Sequence, residues 1–301
     1  MLISICIPTK DRHYLLAETL KSIFDEPVDK ELYEIVISDN SDDDLTLKLA
    51  DEFKNRGMNI VYYKNPEKGF YNSIKALTLG NGQFLKLHND YTKFKPGCFK
   101  QLIELVSSNL DHKPQMLFTD GNLKLCTTLQ FSNFDSFLDG SSYWNTWSSA
   151  FSIWKDDLHA LPSSKADLND QFPHTSLLFF NKNKNYYLID DRVLFENSKV
   201  AKKGGYNIFY NFCVLYVDML LSLHNAGVIS ARTFKSIKNR MAYLFVSSWY
   251  CNSVLCKNEF SFDNNNCIKN ILKHYNYFDL AVVIALAYLK KIWRVMNHYS
   301  K

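Results

Sequence analysis

Two acids set the chemistry this chain is able to perform. Asp90 stands in His88-Asn89-Asp90-Tyr91, directly after a short run that carries Phe84, Leu85 and Leu87. Asn89 and Asp90 supply hard oxygen atoms. One carboxylate together with phosphate oxygens is a common seat for magnesium or manganese beside a nucleotide. A metal there would neutralise a departing diphosphate. The plainer reading of the same pair is a turn-forming Asn-Asp dipeptide. Asp39 ends the run Glu34-Ile35-Val36-Ile37-Ser38 and opens a loop with Asp42, Asp43 and Asp44. A carboxylate in that position accepts hydrogen bonds from a ribose or a base edge. The competing task in the loop is to cap the helix that starts at Leu45, and Asp43 or Asp44 is placed for it. His174, in Asn169-Asp170-Gln171-Phe172-Pro173-His174-Thr175, opens a segment with Leu177, Leu178 and Phe179 at helical spacing. An imidazole beside carboxylates suits a general base near neutral pH, although a structural histidine is the commoner occurrence.

The elements that must position these groups follow from hydrophobic periodicity. Leu2–Ile7 is a β-branched run closed by Pro8-Thr9 and reads as a strand. A helix follows Asp11-Arg12, with Leu15, Leu16, Thr19, Leu20 and Ile23 on one face. Strands are expected at 34–38, 59–63 and 84–87. Helices are expected from Leu45 to Phe53, from Asn72 to Leu79 and from Cys98 to Val106, with Gly80-Asn81-Gly82 stopping the second of them. Four strand–helix units in about a hundred residues predict an α/β fold with a doubly wound, mostly parallel sheet. The polar ends at Pro8-Thr9, Asp39 and Asn89-Asp90 should then gather along one edge.

After Pro114 the pattern changes. A strand is expected at 115–118, ending at Thr119-Asp120-Gly121, and another at 187–189. Between them, residues 122–165 are rich in Ser, Phe and Trp, with Trp144, Trp147 and Trp154 close together. Such aromatics suit sugar rings and suit core packing equally. Gly204-Gly205-Tyr206-Asn207 reads as a loop before a long apolar helix, and the chain from 230 onward reads as helical. This divides the chain into 1–110, 111–205 and 206–301.

Composition bounds the rest. The chain has 301 residues, of which 47% are hydrophobic and 15% aromatic, enough for a substantial core. A net charge of +4 is too mild to indicate nucleic acid. Seven cysteines, with no Cys-x-x-Cys pair, argue against a zinc site or a disulfide framework and for a reducing compartment. The apolar run at the start is too short for a secretory signal and lacks a basic lead, which predicts a cytosolic location. Near the end, Leu280–Leu289 is too short to span a bilayer. With Lys290, Lys291, Arg294 and Lys301 around and after it, this helix reads either as a packed helix or as an interfacial anchor on the cytoplasmic face of an inner membrane.

Several blocks together resemble family 2 glycosyltransferases of the bacterial O-antigen and capsule type, including abequosyltransferase-like enzymes. These are Ile5-Cys6-Ile7-Pro8-Thr9, Ile35-Val36-Ile37-Ser38-Asp39-Asn40-Ser41, Asn65-Pro66 with Gly69, and Gly82-Gln83-Phe84 leading to Asn89-Asp90 and Pro96-Gly97. The likeness covers about the first hundred residues, with a thinner match at Phe172-Pro173-His174. It implies a GT-A fold, a nucleotide-sugar donor and an inverting transfer, in a pathway that builds surface polysaccharide such as the O-antigen of lipopolysaccharide. The implied acceptor is a lipid-linked oligosaccharide. By that likeness Pro8, Thr9, Asp39, Asn40, Lys68, Gly69, Asn89 and Asp90 hold the donor, and Asn89 with Asp90 holds a divalent metal, magnesium or manganese. The chain departs from the family at the Asp-x-Asp motif, whose two places fall on Asn89 and Tyr91 and leave one carboxylate between them. The family's acidic base is replaced by Pro173-His174, which makes His174 the leading base, with Asp170 and Asp120 as competitors. Arg12 or Lys68 is an alternative to metal for offsetting the leaving charge. The rival reading is a non-catalytic nucleotide-sugar or glycan-binding protein with a degenerate site. A nucleotidyltransferase would need a glycine-rich basic loop after the first strand, and Lys10-Asp11-Arg12 is not one.

Overall fold

A computed structural model describes residues 1–200, 204–257 and 260–298, so Lys301 lies outside the described residues. Contacts divide the chain into two compact units, Met1–Lys199 and Val200–Lys301.

The first unit is built on a five-stranded sheet. Its members are β1 (Ile3–Thr9), β2 (Tyr33–Asp39), β3 (Ile60–Lys64), β4 (Phe84–Leu87) and β8 (Ser152–Trp154), in the order β3-β2-β1-β4-β8. The first four run parallel, and β8 pairs antiparallel with β4. Strands β1, β2 and β4 are buried almost throughout, as expected of parallel strands covered on both faces by helices. Helix α1 (His13–Phe24) buries Leu15, Leu16, Thr19, Leu20 and Ile23, the face expected from the periodicity. Helices α2 (Leu45–Asn55), α3 (Asn72–Thr78) and α4 (Cys98–Ser107) complete the strand–helix alternation. The entry to β4 requires glycine: a Cβ at Gly82 would lie 2.6 Å from the backbone of Ile3 and of Ser4.

Smaller elements flank the sheet. Strand β5 (Thr92–Phe94) pairs antiparallel with β10 (Phe195–Asn197), and β6 (Gln115–Phe118), β9 (Tyr187–Asp190) and β7 (Thr128–Phe131) form a three-stranded sheet. Helices α5 (Phe134–Ser141), α6 (Lys155–Ala160) and α7 (Pro173–Phe180) lie between these strands in sequence, and two 3₁₀ turns cover Ser142–Thr146 and Ser148–Ala150. Of the three tryptophans, Trp154 is core: it is buried, packs on Phe84 at 4.9 Å and donates its indole N–H to Pro114 O at 2.7 Å. Trp144 and Trp147 are half-buried.

The second unit is largely helical. Here α8 (Ile208–Tyr210) runs through a π-helical stretch, Asn211–Leu215, into α9 (Tyr216–Asn225). Helix α10 (Ala231–Arg240) continues through π-helical turns around α11 (Ser247–Trp249), and α12 (Cys267–Leu272) precedes α13 (Tyr277–His298). Two expectations are corrected. Gly204–Asn207 is a strand, β11, paired with β12 (Ser261–Asp263), so the chain beyond 230 is not wholly helical. The pairing depends on Gly204, where a Cβ would meet the carbonyl carbon of Ser261 at 2.4 Å, and on Phe262, which is buried between exposed Ser261 and Asp263. A glycine that admits a neighbouring backbone has the same sequence signature as a loop glycine.

Candidate active site

The sheet order reverses between β1 and β4, because β2 and β3 build outward on one side and β4 starts the other. In open α/β sheets the crevice outside the carboxyl ends of the strands at such a point is where ligands bind. Strand β1 delivers Thr9 there, and the turn after β4 delivers His88, Asn89 and Asp90.

The two strand ends are bonded to each other. Thr9 Oγ1 donates to Asp90 Oδ2 at 2.6 Å, and Arg12 Nε donates to the same oxygen at 2.8 Å. Thr19, on α1, donates to the Asp90 carbonyl at 3.1 Å. Asp90 is buried, and its Oδ1 has no partner among the described residues. Burial pushes its carboxyl up, and the opposing pull of Arg12 and Thr9 does not cancel that rise. Asn72, the first residue of α3, ties the floor together. It donates to Ser38 O at 2.9 Å and accepts from Ser38 Oγ at 2.6 Å and from Asn65 Nδ2 at 2.9 Å.

Asp39 is the register partner of Thr9, so it stands beside the same crevice. Its side chain is fully buried and engaged: Oδ1 accepts from Ser41 N at 2.8 Å and Ser41 Oγ at 2.5 Å, and Oδ2 accepts from the Tyr62 hydroxyl at 2.8 Å. Burial, and then Asp39 itself, raise the pKa of Tyr62 and keep that phenol a donor. Asp44 makes no side-chain cap on α2, whereas Asp43 Oδ1 accepts from Leu45 N at 3.1 Å. Asn40 donates to Asn65 O and Glu67 O, both at 2.8 Å, and fixes the 65–69 loop. Lys68 Nζ donates to Asn40 O and to Asp42, at 2.5 and 2.6 Å, and Gly69 follows with φ 115° and open space at its Cβ. Pro8 lies within β1, opposite Ser38.

Asn89 connects this crevice to the segment at 146–149. Its N–H donates to Ser149 Oγ at 2.8 Å, its Oδ1 accepts from Ser148 Oγ at 2.7 Å, and its Nδ2 donates to the Tyr91 hydroxyl at 2.9 Å. His174, at the start of α7, reaches the same segment. Its Nε2 lies 3.0 Å from Thr146 O, and its ring meets Phe151 edge-on at 6.0 Å. A carbonyl only accepts, so Nε2 carries the proton and Nδ1 is the basic nitrogen. Burial pushes this imidazole down to about 4, so it is neutral at pH 7. The other two base candidates sit in different settings. Asp170 is exposed in the turn before α7. Asp120 Oδ1 accepts from Leu194 N and Phe195 N, both at 2.9 Å, and so anchors the approach to β10.

Lys86 was not singled out in the sequence. It is buried in β4, donates to Leu87 O at 2.8 Å and to Ser149 O, and lies over the rings of Phe118 and Phe195 at 4.9 and 5.3 Å. Burial lowers its pKa to about 7. Its signal was available: one charged residue inside an apolar strand. Thr19, Asn72, Ser148 and Ser149 carry no comparable signal.

The donor set for a divalent metal is thin. Among the described residues no three His, Cys, Asp or Glu side chains group as such an ion would need. At this corner the Asn89 amide oxygen is already engaged by Ser148, and one Asp90 oxygen is shared by Thr9 and Arg12. That leaves Asp90 Oδ1 alone. A divalent ion sharing a carboxylate with a guanidinium is repelled by it, by roughly 8 kcal/mol at 4 Å and an effective dielectric of about 20. The residues present do not fit a metal in the way two free carboxylates would.

Residues 4–112 match the family model for glycosyl transferase family 2. The amino-terminal part of the chain is thus similar to family 2 glycosyltransferase domains. Over 139 residues the chain is 27% identical to abequosyltransferase RfbV of Salmonella typhimurium (strain LT2), a match that covers 44% of this chain and 40% of that protein. Among solved structures it superposes on residues 1–349 of S. aureus TarS in complex with UDP, with TM-score 0.62 and 16% identity, covering 97% of this chain and 87% of that one. It also superposes on the mannosyltransferase PcManGT of Pyrobaculum calidifontis, in complex with GDP-Man and Mn2+, with TM-score 0.53 and 13% identity, covering 97% and 87%. These similarities establish the GT-A architecture of the glycosyltransferases. The chain spans 53% of the longer TarS structure and 40% of RfbV, about half the length of these relatives.

Proposed function

We propose that this domain makes the chain an inverting glycosyltransferase that moves a sugar from a nucleotide-sugar donor to a hydroxyl of a glycan acceptor. The observation that carries the reading is the bonded junction of Thr9, Arg12 and Asp90 at the point where the sheet order reverses. The donor's diphosphate lies across that junction. Its nucleoside is held by the β1 end at Pro8 and Thr9 and by the loops at Asn40 and Lys68-Gly69. Asp39 acts from beneath, holding Ser41 and Tyr62 in place. His174, neutral and with Nδ1 free to accept, takes the proton from the acceptor hydroxyl. That oxygen attacks the anomeric carbon from the face opposite the diphosphate, the glycosidic bond forms as the carbon–phosphate-oxygen bond breaks, and configuration inverts.

The likeness to RfbV supports an acceptor from surface polysaccharide assembly, such as a lipid-linked oligosaccharide of the O-antigen. No helix of the described residues is long and apolar enough to cross a membrane. Helix α13 exposes Leu289, Ile292, Trp293 and Met296, each more than half accessible, which supports contact with a membrane surface.

The test is a panel of nucleotide-sugars against the purified protein by thermal shift, followed by nucleoside diphosphate release with a bacterial lipid extract. A donor raises the melting point by binding the native state, and the same donor is turned over with the extract. Binding without turnover in any extract favours the rival, a glycan- or donor-binding protein, which the single carboxylate at 89–91 supports. Absence of any binding refutes both.

A further inference from the structure

We propose that Arg12, not a divalent metal, is the cation that receives the donor's diphosphate in this chain. The inference rests on the glycosyltransferase reading and departs from what the family likeness implies. Three observations carry it. First, the guanidinium is held from two sides: Nε bonds Asp90 Oδ2 at 2.8 Å, and Cζ lies 5.7 Å from the centre of the Tyr91 ring. Second, this grip uses only Nε. Nη1 and Nη2 make no hydrogen bond to a described residue, and the side chain is 32% exposed. A planar fork of N–H donors thus faces outward from the reversal point of the sheet, the arrangement that binds phosphate oxygens in pairs. Third, Tyr91 occupies a place where the family pattern has an acid. An aspartate there would offer a second carboxylate to a metal; the tyrosine offers a ring face to the guanidinium and a hydroxyl to Asn89. Asp90 is therefore an aiming device for Arg12, holding Nε through one of its two oxygens.

Lys68 is the other basic side chain beside this crevice that the sequence offered. It is spent on Asn40 O and Asp42, so it does not compete for the role.

The experiment measures binding of UDP, GDP, CDP, ADP and dTDP by calorimetry, each in EDTA and in manganese chloride, for the wild type, Arg12→Gln and Arg12→Lys. The melting temperature of each variant is recorded alongside. For the nucleotide that binds, affinity should agree within about twofold between EDTA and manganese. It should fall about tenfold or more in Arg12→Gln, with Arg12→Lys between, since a lysine keeps the charge and loses the fork. A gain of tenfold or more on adding manganese to the wild type overturns the proposal, and that result needs no variant to be folded. Unchanged affinity in a folded Arg12→Gln also overturns it. If none of the five binds the folded wild type in either buffer, the glycosyltransferase reading fails and takes this inference with it. Binding that requires manganese leaves the broader reading intact and removes only this one.

Discussion

Replacing His174 with glutamine separates its chemistry from its packing. In the folded protein burial sets the imidazole pKa at about 4, against an ordinary value of 6.5. Between those values the unfolded chain binds a proton that the native state refuses. Stability is therefore fully present above pH 6.5 and is lost as pH falls toward 4, at about 1.4 kcal/mol per pH unit. Across the window this is about 3 kcal/mol. Glutamine does not titrate, and its amide keeps a donor for Thr146 O. At pH 7.5 the variant should lie within about 1.5 kcal/mol of wild type. At pH 4 it should be the more stable relative to that baseline by about 3 kcal/mol, or about 6–12 °C in melting temperature for a domain of this size. His88, pushed down to about 3 by burial and then by Lys86, acts in the same direction in both proteins and cancels in the difference. The assay is thermal unfolding of both proteins from pH 8 to pH 4. Parallel curves would show that His174 is not buried and neutral, which would also remove the tautomer argument behind its role as base. In activity, turnover by the wild type should show no acidic limb near pH 6.5, and the variant should lose most of its turnover while keeping donor affinity.

Asp90→Asn removes a carboxylate whose pKa is raised by burial, so its ionised form costs stability at neutral pH; melting temperature should hold or rise while nucleoside diphosphate affinity falls about tenfold as Arg12 loses its aim. Gly82→Ala should cost about 2–3 kcal/mol in urea unfolding, because the new methyl meets the β1 backbone at 2.6 Å on two atoms and neither is free to move aside. Lys86→Met should change stability in a pH-dependent way: with its pKa lowered to about 7, wild-type Lys86 gains stability from pH 7 toward 10.5, so by pH 9 the wild type should have improved against the variant by roughly 2–3 kcal/mol. A difference between the two proteins that stays flat from pH 7 to 9 would show that Lys86 remains charged.

The strand ends were legible because parallel strands leave an apolar run with an abrupt polar stop. Ile3–Thr9, Tyr33–Asp39 and Phe84–Leu87 all follow that form, and alternation with helices supplied the topology. What the polar stops do was not legible. Asp39 and Asp90 look alike in sequence, yet Asp39 is consumed by Ser41 and Tyr62 while Asp90 takes Thr9 and Arg12. The Arg12–Asp90 pair spans 78 positions, and nothing local in either segment specifies it. Strands β5 and β10 escaped for a related reason. Each has three residues, too few for alternation to show, and what joins them is distant in sequence: the rings of His88, Phe94 and Phe195 pack together at 4.8–5.3 Å, and Thr92 Oγ1 donates to Asn197 Oδ1 at 2.6 Å. Gly204–Asn207 misled in the opposite direction, since its glycines read as freedom and act as clearance.

The Arg12–Asp90 pair is hard to explain as a stabilising device. Bringing a carboxylate into the interior is costly, and its partner here is one-third exposed, where much of the attraction is screened. An apolar residue in the place of Asp90 would avoid the cost and leave no oxygen unpartnered. What that replacement would lose is direction. A free arginine at the surface samples many rotamers, whereas this one is held by Nε against a fixed carboxylate with its remaining donors turned out. The energy spent on burying Asp90 therefore appears as a lower entropy cost when an anion binds, which is the same exchange by which preorganised sites gain affinity. The unpaired Asp90 Oδ1 belongs to this account. A carboxylate selected for stability would have both oxygens satisfied; one selected to orient a guanidinium needs only the oxygen that touches it.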